Sequence, residues 1–105
     1  MQTITTENEL LIEVLNLKQA ALVYRAINHP LRNRVLHLLH ANQRITVTDI
    51  YVKLRLEQSV ASQHLAILRR AGMVNTERDG KKIFYSVNYQ RLQQVGHYAK
   101  EIINH

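Results

Sequence analysis

The 105 residues contain no cysteine. That excludes a disulfide framework, a thiolate zinc site and a thiol redox switch. One proline and three glycines leave no Pro/Gly-rich linker. With no repeat or low-complexity tract either, residues 1–105 read as one domain. Apolar runs are only a handful of residues long, so no membrane-spanning segment is expected. The opening MQTITTENEL carries acids and no basic n-region, unlike a secretory signal, so a cytoplasmic location is expected. Acids are few: 8 Asp plus Glu stand against 14 Lys plus Arg. Paired carboxylates are correspondingly scarce. No Gly-rich phosphate loop, H-E-x-x-H or nucleophile elbow occurs. Ser62 and His64 are two apart on an expected helix, so they point to different sides and cannot pair as nucleophile and base. An enzyme is not expected, nor is any cofactor.

What is present is apolar and basic. Hydrophobic residues make up 46% against 21% charged, too apolar for a mainly disordered chain. The net charge of +6 is unevenly placed. Residues 25–82 hold eleven bases against four acids, giving +7, while residues 1–24 sum to −2 and 83–105 to +1. A basic module flanked by near-neutral ends attracts polyanions through counterion release, which puts double-stranded DNA first among partners.

Residues 7–27 predict a long helix whose apolar positions spread over more than one face (Leu10, Leu11, Val14, Leu15, Leu17, Leu22). A second subunit would cover the excess. Pro30 suits the first turn of a new helix, and Leu31, Val35, Leu38 and Leu39 continue it to about Asn42. Arg44–Val47 is a candidate brief strand. Thr48 is expected to cap a short helix with Asp49 in its first turn and Ile50 and Leu54 inward. After a break at Arg55–Glu57, QSVASQHLAILRRAG predicts a helix with Ala61, Leu65 and Leu68 inward and Gly72 just past its end. MVNTER-DG-KKIFYSV predicts a hairpin around Asp79-Gly80, with a type I′ turn expected. Asn88–His105 returns to helical spacing. The expected fold is mainly α with a small β-hairpin, in the order α-α-β-α-α-β-β-α: a winged helix-turn-helix, with the helix-turn-helix at 48–71 and the wing at 73–87.

The outward face of the second helix of that motif carries Ser59, Ser62, Gln63, Ala66 and Arg70. It has no carboxylate, and its short side chains let a helix sink into a major groove about 12 Å wide. Gln63 offers a donor and an acceptor that match adenine N7/N6, while Ser59 and Ser62 reach bases or phosphates. Gln58 stands at the helix start, where free N–H groups receive a phosphate. His64 lies beside this face, placed either to hydrogen-bond within the motif or to contact phosphate. Arg78, Lys81 and Lys82 cluster at the hairpin tip, where a basic ribbon meets the DNA backbone. Two alternatives stay open: a winged-helix protein-interaction module, and a metal-responsive repressor using His97, Glu101 and His105, which share a helical face.

NHPLRNRVLHLL, Gln58-Ser59-x-x-Ser62-Gln63-His64-Leu65-x-x-Leu68, Ala71-Gly72-Met73-Val74 and the Asp79-Gly80 wing ending in Tyr85-Ser86-Val87 resemble the ArsR/SmtB family of bacterial winged-helix repressors. The likeness spans about residues 20–90. It implies a homodimer joined through the first and last helices (1–27 and 88–105). It also implies two recognition helices on a palindromic operator, released when an effector binds. The family's thiolate sensor has no counterpart here, because the stretch matching it, Thr46–Ile50, lacks cysteine. Its other metal site lies on the last helix, where this chain has Tyr89, Arg91, Ile102 and His105. Only His105 of these can ligate, so no metal site is expected and the effector is unknown.

Overall fold

The computed structural model describes residues 6–103. Helix α1 runs Glu7–Ile27, with Thr6 as N-cap: its hydroxyl accepts from Glu9 N at 3.1 Å. Pro30 opens α2 (Pro30–Asn42), capped by His29, whose Nδ1 accepts from Leu31 N at 3.1 Å. Strand β1 (Ile45–Thr46) follows, then α3 (Val47–Leu54) and α4 (Gln58–Arg70). Strands β2 (Val74–Asp79) and β3 (Lys82–Val87) form the hairpin, and α5 (Tyr89–Ile103) closes the chain. The order is the one the sequence predicts. The candidate strand is real, and it enlarges the hairpin to a three-stranded antiparallel sheet of order β1-β3-β2, with Ile45 opposite Tyr85 and Thr46 opposite Phe84.

Two local expectations are corrected. Thr46, not Thr48, caps α3: its hydroxyl accepts from Asp49 N at 3.2 Å, the Thr-x-x-Asp spacing of a capping box. Thr46 is already extended by its pairing in β1, the backbone an N-cap needs, which places half-buried Val47 in the first helical turn. The hairpin turn is not type I′. Asp79 pairs with Lys82, so Gly80 and Lys81 form the loop, and of these only Gly80 has positive φ (+65°). One positive φ, at the first central position, is the sign pattern of type II′.

The core draws its buried residues from α1–α4, the three strands and the turns beside them, and Val95 of α5 packs against it. Val23 and Ala26 of α1 meet Val35 and Leu39 of α2, Ile45, Ile50, Leu65 and Leu68, closed by Ala71, Met73, Val74 and Val87. Gly72 just past α4 has φ +74°, and a Cβ there would lie 3.2 Å from Arg91 Nε. The backbone conformation thus favours glycine, and any Cβ would also press on the Arg91 side chain packed there.

The core uses little of α1. Only Val23 and Ala26 of that helix are buried, while Leu10, Leu11, Ile12, Val14, Leu15, Leu17 and Leu22 stay exposed, Leu10 at 58%. The described residues extend 53 × 27 × 22 Å with a radius of gyration of 16.6 Å. A chain of this length packed around one core would have a radius of about 13 Å. The N-terminal half of α1 therefore projects from the core with an apolar surface uncovered.

Candidate nucleic-acid interface

Helices α3 and α4 are joined through Arg55, which takes the left-handed conformation at φ 56°, ψ 47°. Its N–H reaches Val52 O at 3.2 Å and the N–H of Leu56 reaches Tyr51 O at 2.9 Å, so the last carbonyls of α3 are satisfied within the turn. No glycine marks this turn in the sequence. A second unmarked turn follows α2: Gln43 has φ 67°, ψ −51°, and Arg44 N bonds Asn42 O at 2.7 Å, a strained γ-turn that delivers the chain into β1.

Buried Ala61, Leu65 and Leu68 fix the rotation of α4 about its axis. The opposite face then presents Gln58, Ser59, Ser62, Gln63, Ala66 and Arg70 exposed together, with Arg69 beside them. Glu57 occupies the N-cap but makes no side-chain capping bond, so the first N–H groups of α4 have no side-chain acceptor from it. His64 stands apart from this row. It is half-buried, with its ring 4.9 Å from that of His29 and its Nδ1 3.4 Å from Arg32 Nη1. Burial, then the neighbouring His29 and Arg32, hold its imidazole below the usual 6.5. Both neighbours belong to α2 and its N-cap, outside the helix-turn-helix in which the sequence reading sought a partner for His64.

The wing has a clamp that sequence reasoning missed. Arg44, immediately before β1, reaches Glu77 Oε2 and Asp79 Oδ2 on β2, each at 3.3 Å. Its guanidinium carbon lies 3.7 Å from the centre of the Phe84 ring on β3. Both wing acids are thereby engaged, while Arg78, Lys81 and Lys82 remain exposed and make no ion pair among the described residues.

On α5, Tyr89 donates or accepts with His40 Nδ1 at 2.8 Å, and Arg91 packs on Gly72. Two of the positions that match the family's last-helix metal site, Tyr89 and Arg91, are thus used to seat α5 on the domain. His97 Nε2 lies 3.1 Å from Glu101 Oε1, and His105 lies outside the described residues. Among the described residues no three His, Cys, Asp or Glu side chains come together as a metal site. Among the described residues no helix is long and apolar enough to cross a membrane.

A helix-turn-helix with an exposed, carboxylate-free second helix and an adjoining basic hairpin defines a winged-helix DNA-binding regulator. Residues 29–76 match the family described as "Bacterial regulatory protein, arsR family". The chain is 31% identical to the transcriptional repressor PagR of Bacillus anthracis, over 80% of this chain and 84% of PagR. It is 36% identical to the transcriptional activator HlyU of Vibrio cholerae, over 76% of this chain and 73% of HlyU. The solved ArsR-like transcriptional regulator from Rhodococcus sp. RHA1 superposes with a TM-score of 0.77 over 83% of this chain and 81% of that one; at 20% identity it shows the shared fold. This chain belongs to the ArsR family.

Proposed function

We propose that the protein is a homodimeric, cytoplasmic repressor that reads a palindromic operator. In this reading Ser59, Ser62 and Gln63 contact base edges, Gln58 and the open N–H groups of α4 hold a phosphate, and Arg70 with Arg78, Lys81 and Lys82 grips the backbone. His64 acts from behind the recognition face. The observation that carries the reading is the row Gln58 to Arg70 on α4, exposed as one surface without a carboxylate. The projecting apolar surface of α1, together with exposed Leu92 on α5, supports the dimer. A repressor role is in keeping with the name of PagR, although HlyU is named an activator.

Selection of bound duplexes from a random pool with the purified protein tests this. The expected product is a two-fold symmetric site with half-sites separated by about one helical turn. Recovery of no enriched sequence would overturn the reading and favour a protein-interaction module.

A further inference from the structure

Arg32 lies on α2, outside both the recognition row and the wing, and is half-buried. Its Nε donates to Ala26 O at 2.5 Å and its Nη2 to Arg25 O at 3.2 Å. These carbonyls end α1, where no helical N–H is available to them and where the helix dipole favours a cation. Its Nη1 faces His64 Nδ1 at 3.4 Å. A guanidinium only donates, so His64 Nδ1 is the acceptor and the ring proton sits on Nε2. The His64 ring also lies against His29, which caps α2 through its own Nδ1. One side chain therefore touches the end of α1, rises from α2 and meets the recognition helix.

We propose that Arg32 is a positioning residue that fixes α4 relative to α1, and so the separation of the two recognition helices in the dimer, through a link that holds only while His64 is neutral. The proposal rests on the homodimeric DNA-binding reading. Its logic is mechanical. The dimer surface lies on α1, the DNA surface on α4, and a palindrome demands a set distance between two copies of α4. Protonation of His64 would place a proton on the acceptor atom and a second cation beside Arg32, abolishing the contact.

The charges acting on His64 are those of His29, the N-cap of α2, and of Arg32 on α2. No ionised group of α1, α3 or β2, the other elements packed on α4, is among the charges acting on His64. Arg25 of α1 is exposed, Lys53 of α3 bonds Asn42 Oδ1 at 3.2 Å, and Glu77 and Asp79 of β2 are held by Arg44.

The test uses the full chain and three duplexes carrying the selected half-sites, at the selected spacing and with one base pair more or fewer. Arg32→Gln is expected to lower the preference for the selected spacing about fivefold, within the range spanned by coupling through packed networks. Wild type is expected to lose the same preference on acidification from about pH 7.5 to a pH below the His64 titration midpoint, which lies under 6.5 and is located by NMR. His64→Asn keeps an acceptor near the Nδ1 position and cannot titrate, so its spacing preference should persist at both pH values. A folded Arg32→Gln protein with wild-type spacing preference would overturn the proposal. So would a wild-type preference that is the same at both pH values, a comparison that decides the matter even if Arg32→Gln fails to fold. If the protein binds no duplex at all, the DNA-binding reading fails, and the link is still tested by NMR. The His64 titration midpoint should rise toward 6.5 in Arg32→Gln, and an unmoved midpoint would show that no such link exists.

Discussion

Replacing Arg44 with Ala perturbs the wing at one point and should be read in two assays. The stability term is small. The two ion pairs are well exposed, with side chains 41% accessible for Arg44, 70% for Glu77 and 69% for Asp79. Such pairs are worth about 0.2–1 kcal/mol each, and an exposed cation–π contact about 0.5–1 kcal/mol. The lower ends sum to about 1 kcal/mol, and about 4–8 °C in Tm for a domain of this size. The DNA term follows from where the freed acids stand. Asp79 lies directly opposite Lys82 across the hairpin. Without Arg44, Asp79 takes Lys82 as its partner, and Lys82 is lost to phosphate. Each lost phosphate contact lowers the slope of log affinity against log salt by about 0.9, hence by about 1.8 for a dimer with two wings. Thermal melting and a salt titration of binding to the selected duplex measure the two terms. An unchanged salt slope in a folded Arg44→Ala protein would refute the claim that Arg44 keeps the wing bases free.

Gln63→Ala should lower discrimination between the selected site and its variants by about 1–3 kcal/mol; Lys81→Ala should weaken all duplexes alike, and competition binding separates the two. Leu15→Asp places a charge in the exposed apolar surface of α1, away from the core, and should yield a folded monomer by sedimentation. Gln43→Gly relieves a positive φ in a γ-turn and should raise stability by about 1 kcal/mol in denaturant unfolding, a side chain in the left-handed region costing about that much. The folded pKa of His64 is depressed, so the unfolded chain binds the extra proton first. Its contribution to stability is complete above 6.5 and declines as pH falls below that value, and unfolding curves should show this decline in wild type but not in His64→Asn.

Signals that act within a few residues were legible in the sequence. Pro30 and the Leu/Val spacing after it opened α2 where expected, and Ala61, Leu65 and Leu68 oriented α4 as their spacing requires. Gly72 stands at the positive φ that its place after a helix called for. The failures come from competition settled at a distance. Thr46 and Thr48 are both capable caps, and pairing of Thr46 with Phe84 decides between them. The register Asp79↔Lys82 moved the turn one residue past the Asp-Gly signal. The αL conformation of Arg55 went unread because its side chain does not mark it. Arg44 and Arg32 each looked like one more surface base. Their partners lie 35 and 32 residues away in the chain, at Asp79 and His64, and only the folded sheet and the packing of α2 on α4 bring them together.

The central claim is that α4 reads base sequence. It is tested most directly by the ratio of affinities for the selected duplex and for a scrambled duplex of equal length, measured at physiological salt. The account predicts a ratio of about 10³ or more, as for specific regulators, falling on Gln63→Ala. Equal affinities, lost together as salt rises, would mean that the basic surface binds polyanions without reading them.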